Sequence, residues 1–548
     1  MTSAPGRHSS FVRTSLLLLT SVALLTPAFA PVYQFYLAWV GLVPWLIFLA
    51  ESKSQKSAFF GSWIAGTAFF TANMWWMLFI SWPGMIALMI YLGSYWAAAG
   101  LIIRGAGLLR RGILPGVFAI AAVWVTFEWL RGIIITGLPW LYLAHTQTPF
   151  LPICQIADIT GTYGVSFWVA MLNALAALAW LRKKETIPTA CVVGTITVLL
   201  LAYGLFRLAQ TPRSLSPGPT VAVVQPNYPQ KNDGSKGADI DEREDFHTLQ
   251  TRSALAKEPG KIDLVVWSET MMGALNYEAR EKMPGAPELY DRLSRLAAEN
   301  DVALIVGGEY AGDWKPEERD GEWYIVARDR RNTAYFFDRH GKMDDSIGFR
   351  YDKIHLMPWG EYIPGKDSAH WLYWLSVQLG PKYYTDYIMQ PGETLTVFHL
   401  DARDHDWRFV SPICFEDLDA ALCAQMFRPS EAGGKRADFM VNLTNDGWFK
   451  AGENAQHFQA AIFRSIENRA WLARSVNTGI SGFVDSDGRP SDLLTARTEG
   501  TSVAQIMIDG RLTFFTRFGD IFAYACVAAT SIMAAHAWIK HRQPRKVQ

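Results

Sequence analysis

The sequence predicts a polytopic helical membrane domain of about eight spans that carries a soluble α/β layered domain. Three observations lead there. Residues 1–212 are rich in Leu, Ala, Ile, Trp and Phe. Residues 213–505 carry a soluble-protein mixture of charges, and 518–539 is apolar again. Within the middle portion, short Val- and Ile-rich runs alternate with helical or looped stretches, the pattern of strands and helices in layers. The expected division is a membrane domain at 1–212 with about seven helices, an extramembrane domain at 213–505, and a last helix with a basic tail at 506–548.

Composition narrows the function. The 548 residues suffice for two or more domains, and 50% of them are hydrophobic. Lys+Arg and Asp+Glu are equal at 51 each, so no charge excess calls for nucleic acid. The five cysteines are Cys154, Cys191, Cys414, Cys423 and Cys526, with no CxxC pair. An odd count without such pairs argues against a disulfide scaffold or a cysteine zinc site. Cys191 and Cys526 lie in apolar runs, where cysteine acts as a small hydrophobe.

A bilayer core is crossed by about 20 apolar helical residues. The predicted spans are 14–31, 34–50, 58–79, 84–103, 114–131, 162–181, 188–207 and 518–539. Basic residues alternate between their ends. Arg7 and Arg13 precede the first span, and Lys53 and Lys56 follow the second. Arg104, Arg110 and Arg111 follow the fourth; Arg182, Lys183 and Lys184 follow the sixth; Lys540, Arg542, Arg545 and Lys546 follow the last. This bias puts both termini in the cytoplasm and 208–517 outside it, with Arg131 and Arg213 as exceptions. Ala28-Phe29-Ala30 has the small-x-small form of a signal cleavage site, but Pro31 follows it, so the first span is expected to be retained. Between spans five and six, 128–164 holds Trp, Gly and Pro and reads as an interfacial loop.

In the soluble part, strands are expected at 220–224, 264–267, 302–307, 323–327, 409–413 and 438–443. Helices are expected at 288–299 and 453–474, and a Tyr-, Trp- and Pro-rich loop at 360–400. Three of the strands run into polar residues: Ser268-Glu269-Thr270, Cys414-Phe415-Glu416-Asp417 and Thr444-Asn445-Asp446-Gly447-Trp448. Sites in α/β sheets gather at strand ends, so these tips are expected to share one.

Glu269, Lys353 and Cys414 suffice there for nucleophilic acyl transfer. A thiol is mostly protonated at neutral pH, and a nearby carboxylate takes its proton as it attacks. An ammonium stabilises first the thiolate, then the oxyanion, without histidine or metal. His355 and His457 read as structural, because no other His or Cys clusters with them in a metal-ligand pattern.

Strand-Glu, then Lys before an aromatic loop, then strand-Cys-x-Glu resembles the nitrilase superfamily across about 220–505. The matching stretches are Val265-Val266-Trp267-Ser268-Glu269-Thr270, the run from Tyr351 to Glu361, and Ile413-Cys414-Phe415-Glu416. Asn445-Asp446-Gly447-Trp448-Phe449, Gly137-Leu138-Pro139-Trp140, Gln225-Pro226-Asn227 and the eight-span layout resemble the apolipoprotein N-acyltransferase family in particular.

The resemblance implies a nitrilase-like α-β-β-α sandwich on the periplasmic side of an inner membrane. It implies Glu269 as general base, Lys353 as oxyanion stabiliser and Cys414 as nucleophile, with Glu361 supporting Lys353 and Glu416 shaping the pocket behind the cysteine. Trp359, Tyr362, Asn445 and Trp448 are the expected substrate-contacting residues, and Trp371, Tyr373 and Trp374 add to an aromatic mouth. The implied substrates are a phospholipid acyl donor and the α-amine of a diacylglyceryl-cysteine lipoprotein. No cofactor, metal or nucleic acid is expected, and the expected assembly is a monomer. The alternative is a membrane-anchored amidase or nitrilase that uses water as acceptor. Two departures stand out: Phe415 occupies a position where the family often has Tyr, and no Trp follows Gln230.

Overall fold

The computed structural model describes residues 6–542 except 111, 183–185, 232–234, 320–321, 367, 380–387, 430–432 and 451. Of the basic residues used for orientation, Arg111, Lys183, Lys184, Arg545 and Lys546 lie outside the described residues, as does the 232–234 stretch after Gln230. Two units form. One holds Met1–Gln210, Ala451–Phe463 and Phe518–Gln548; the other holds Thr211–Lys450 and Arg464–Arg517.

The first unit is helical. Among the described residues, six segments are long and apolar enough to cross a membrane: Phe11–Ala28, Trp82–Gly105, Ile113–Arg131, Thr162–Leu181, Ile187–Arg213 and Ile521–Ile539. The other two expected spans are helical but differ in physical character. The one at 34–50 is a 3-10 turn, Phe35–Trp39, followed by the short helix Val43–Glu51. The one at 58–79 is the helix Gln55–Asn73, diluted by Lys56, Ser62, Thr67 and Thr71, and then a 3-10 turn, Trp75–Phe79. The break near Val40 frees backbone groups that a bilayer would not satisfy. Asn173 satisfies them: its amide donates to Ala38 O at 2.7 Å, and its oxygen accepts from Leu42 N at 2.7 Å. Glycines let helices approach closely, Gly66 against the Trp96 side chain and Gly93 against Thr67. Leu16, Ile64, Ile86, Val198, Leu205 and Ile532 point outward and exposed, the faces lipid would cover.

The 128–164 segment is folded into this unit rather than left as an exposed loop. Glu128 accepts from Trp124 Nε1 at 2.9 Å and Leu143 N at 2.8 Å. Arg131 donates to the carbonyls of Leu138 and Trp140 and lies over the Phe70 and Tyr142 rings. Its charge therefore serves internal packing, which explains why it breaks the alternation of loop charges. Ala28, Phe29 and Ala30 are buried, and Ala30 N donates to Gln459 Oε1 at 3.1 Å.

The second unit is a two-sheet sandwich. Its strands are β1 Leu215–Gln225, β2 Leu264–Trp267, β3 Ala303–Arg319, β4 Glu322–Phe337, β5 Arg350–Asp352, β6 Phe398–Ala402, β7 His405–Val410, β8 Phe439–Thr444, β9 Leu472–Val476, β10 Gly482–Val484, β11 Pro490–Ser491 and β12 Gly500–Asp509. One sheet runs β12-β1-β2-β3-β4-β5, the other β11-β10-β9-β8-β7-β6. Each has three central parallel strands, β1-β2-β3 and β7-β8-β9, flanked by antiparallel ones. Strands β1 and β2 stack on β9 and β8, so both faces of β2 are buried and it reads as a continuous apolar run. The outer face of the first sheet is covered by the helices Ile240–Lys257 and Ala286–Asn300. Leu289, Leu293 and Leu296 pack there with Trp267, Val265 and Phe337.

The expected helix 453–474 divides. Glu453–Asn468 is helical, Arg469 takes φ +48, and Leu472–Val476 is strand β9, parallel to β8. The 360–400 loop contains the helix His370–Leu379. The second unit continues past position 505, since β12 ends at Asp509.

Candidate active site

The parallel strands deliver the site. In both sheets their carboxyl ends carry the polar tips expected from the sequence. Glu269 follows β2, Cys414 lies four residues past the end of β7, and Asn445 follows β8. Lys353 follows the edge strand β5, and its amide donates to Asn332 O on β4 at 2.8 Å.

Glu269, Lys353, Cys414 and Glu361 come together. Lys353 Nζ is 2.9 Å from Glu361 Oε2 and 3.6 Å from Glu269 Oε1. Lys353 is 1% exposed and Glu269 5%, so these charges must neutralise one another. The Cys414 thiol is near enough to lower the Glu269 carboxyl slightly, and Glu269 Oε2, buried, takes no hydrogen bond. Two carboxylates against one ammonium leave an excess of negative charge. Burial, with Glu361 adding, pushes the Glu269 carboxyl up against the pull of Lys353. Burial and the Glu269 charge hold the Cys414 thiol well above its ordinary value, and Lys353 opposes them only in part. The lysine is raised: the Glu361 and Glu269 charges outweigh its burial. At rest the sulfur is therefore a thiol and the lysine an ammonium.

The turns that present these groups are constrained. Cys414 takes φ +52, Thr270 φ +54 and Trp359 φ +55, a region that non-glycine residues adopt at some cost in energy. A Cβ on Gly307 of β3 would meet Ser268 O at 2.5 Å and Glu269 Cα at 2.6 Å, so only glycine lets β3 run against the Glu269 backbone.

Glu416 lies behind the cysteine, fully buried. It accepts from Ile354 N at 2.7 Å, His355 N at 2.9 Å, Ile413 N at 2.7 Å and the Tyr351 hydroxyl at 2.9 Å. It thus fastens the segment that bears Lys353 to the segment that bears Cys414. Burial pushes its carboxyl up to about 7 against those donors.

Asn332 on β4 escaped the sequence reading. Its Nδ2 donates to Glu269 Oε1 at 2.6 Å and to Glu361 Oε1 at 2.7 Å, so one amide spaces the two carboxylates. A single Asn within a strand carries no sequence signal of its own. Only its pairing position opposite Glu309 places it there.

The remaining expected residues separate into two groups. Asn445 is committed inside the protein: it donates to Gln230 Oε1 at 2.9 Å and accepts from Asn477 Nδ2 at 2.8 Å and Gly447 N at 3.1 Å. It ties the 228–230 loop to the ends of β8 and β9. Trp359 is 37% exposed, with Nε1 donating to Ser376 Oγ at 3.0 Å. Trp371 and Trp374 are 69% and 59% exposed, while Tyr362, Tyr373 and Trp448 are partly exposed. Phe415 is buried with its ring edge-on to His355, whose Nδ1 pairs with Asp419 at 2.8 Å. His457 pairs with Glu453 at 3.1 Å.

A family model described as carbon-nitrogen hydrolase matches residues 220–510, a span that contains nearly all of both sheets and the whole cluster. The soluble unit is thus of the carbon-nitrogen hydrolase class, the fold of the nitrilase superfamily. A second model, the apolipoprotein N-acyltransferase N-terminal domain, matches residues 21–175 among the apolar helices. The chain belongs to the apolipoprotein N-acyltransferase family. The apolipoprotein N-acyltransferase of Geobacter metallireducens is 30% identical over 92% of this chain and 91% of its own. That of Chlorobaculum tepidum is 27% identical over 94% of each. Among solved structures, an amidase of the nitrilase superfamily from Nesterenkonia AN1 covers 57% of this chain and 95% of its own at TM-score 0.35 and 17% identity.

Proposed function

We propose that this membrane enzyme moves an acyl chain from a phospholipid to the α-amine of a diacylglyceryl-cysteine lipoprotein through a thioester on Cys414. The supporting observation is the convergence of Glu269, Lys353 and Cys414 at the strand ends, with Lys353 and Glu269 3.6 Å apart and the thiol acting on that carboxyl. Because the thiol is protonated at rest, attack and deprotonation occur together, with Glu269 as the acceptor. Sγ bonds to the ester carbonyl carbon, and the oxyanion is met by the Lys353 ammonium and the amide that follows Cys414. Collapse breaks the ester C–O bond, and Glu269 gives its proton to the departing lysophospholipid oxygen. The α-amine, with a pKa of about 8, is partly neutral at working pH and attacks the thioester. Glu269 takes the amine proton, the C–S bond breaks as the amide forms, and Glu269 returns that proton to the leaving sulfur to restore the thiol. A thioester lies above an amide in free energy, so the second half runs downhill without a nucleotide.

Glu361 and Asn332 hold Lys353 and Glu269 in register, and Glu416 holds the two loops. Trp359, Tyr362, Trp371, Tyr373, Trp374 and Trp448 form an amphipathic mouth, the aromatic character favoured at a bilayer surface. The enzyme sits in the inner membrane with the soluble unit on the periplasmic side and both termini cytoplasmic.

Initial-rate kinetics with a phospholipid and a diacylglyceryl-cysteine peptide test the proposal. Parallel double-reciprocal lines and N-acyl peptide as the main product are expected. A hydrolase would instead release free fatty acid at the same rate with or without peptide, and that result would overturn the transfer reading.

A further inference from the structure

Beneath the turn that bears Cys414 lies a buried polar chain that the acyl-transfer steps leave unused. Asn442, on β8, is fully buried. Its Nδ2 donates to Pro412 O at 3.0 Å and to Cys414 O at 3.5 Å, one carbonyl on each side of Ile413. Its Oδ1 accepts from Arg474 Nη1 at 3.0 Å and from the Thr444 hydroxyl at 2.6 Å. Arg474, on β9, is fully buried as well, and the same nitrogen pairs with Asp417, three residues past Cys414. Glu416 pins the residue between the two carbonyls: its Oε2 accepts from Ile413 N at 2.7 Å, and its own N donates to Ile413 O at 3.1 Å.

The arginine decides which way the amide faces. A guanidinium only donates, so it takes the Asn442 oxygen and turns the amide nitrogen toward the Cys414 turn. A peptide unit is planar and trans, so its N–H points opposite to its C=O. Holding Cys414 O against Asn442 therefore sets the direction of the Phe415 N–H, on the far side of the same plane. That amide is the second donor to the oxyanion in the proposed reaction. The grip also helps to hold Cys414 at φ +52. A buried ion pair adds little stability over apolar side chains of similar volume, so Arg474 and Asp417 beside the nucleophile fit a task of orientation. We propose that Asn442, oriented by Arg474, is a positioning residue that aims the Phe415 amide at the oxyanion formed on the acyl donor. This rests on the acyl-transfer reading of the site.

The test compares two reactions of Cys414 in the full-length enzyme in detergent. Acylation by phosphatidylethanolamine builds negative charge on the carbonyl oxygen. Alkylation by iodoacetamide joins Sγ to the methylene carbon as iodide leaves and the thiol proton passes to the base, and no oxyanion forms. Mass spectrometry of the peptide that carries Cys414 follows both rates, and their ratio cancels any loss of folded enzyme. Asn442→Asp keeps an acceptor for Arg474 and Thr444 but sets an oxygen against the Pro412 and Cys414 carbonyls; Asn442→Ala removes the contact altogether. Both should lower the ratio of acylation to alkylation by about 10–10²-fold, up to the scale of a lost oxyanion donor. Arg474→Met should lower it as well, and Arg474→Lys, which still donates to the Asn442 oxygen, should restore part of it. An unchanged ratio in either Asn442 variant overturns the positioning role, whether both rates fall together or neither falls. Failure of the wild type to be acylated while iodoacetamide still labels Cys414 is a different outcome, and it sinks the acyl-transfer reading itself.

Discussion

In the proposed mechanism Cys414 gains nucleophilicity only when Glu269 removes its proton, because burial and the adjacent carboxylate both disfavour a standing thiolate. Two residue-scale predictions follow from the charges. First, kcat/KM should fall in acid as Glu269 gains a proton. Its pKa is raised above 4.5, so the acid limb should lie above the ordinary glutamate range. A limb centred at or below 4.5 in the pH–rate profile would contradict this. Second, Lys353→Ala leaves Glu269 and Glu361 buried together without their ammonium. A loss of about 10²–10³ in kcat is expected, the scale of one oxyanion donor. The trio was legible in the sequence because each member follows a distinctive run of residues. Asn332 was not, since its role arises from strand pairing that brings β4 beside the ends of β2 and β5.

At the scale of elements, the site depends on how closely the backbones meet. Gly307→Ala should push β3 away from Glu269, because the new Cβ meets backbone atoms at 2.5–2.8 Å. A fall in kcat of about 10² with the fold retained by circular dichroism is expected, since a small misplacement of a catalytic group costs on that order. Glu416 offers a test through stability. Its folded pKa of about 7 exceeds the ordinary value of 4.5, so its contribution is complete below 4.5 and is lost as pH rises through 7. Wild-type melting temperature should fall between those values relative to Glu416→Gln, in which the slope due to this residue disappears. A difference between the two that is constant with pH would contradict the raised pKa. The central strands were legible as Val- and Ile-rich runs. Strand β9 was not, because Leu472–Val476 continues the apolar periodicity of the preceding helix, and only the turn at Arg469 separates them. Strands β10 and β11 are two or three residues long, too short to show alternation.

For the whole molecule, the proposed reading has the apolar helices span the inner membrane and the chemistry take place on its periplasmic side. The proposed orientation rests on charge alternation along the chain, and burial of Arg131 removes one of its two exceptions. Single cysteines placed at exposed Lys257 and, separately, Lys53 of a cysteine-free variant test it. A membrane-impermeant maleimide applied to intact spheroplasts should label the first and not the second, and the reverse pattern would invert the assignment. Span number was legible to within two helices, because break points such as Val40 depend on Asn173, more than a hundred residues away. The central claim is a covalent acyl group on one sulfur. Intact-mass spectrometry of the enzyme after incubation with a defined phospholipid, without acceptor, tests it most directly. The wild type should gain the mass of one acyl chain, lose it to hydroxylamine, and show no gain as Cys414→Ser at hydroxylamine-labile sites. An adduct that persists in Cys414→Ser, or that maps to Cys154, Cys191, Cys423 or Cys526, would contradict the account.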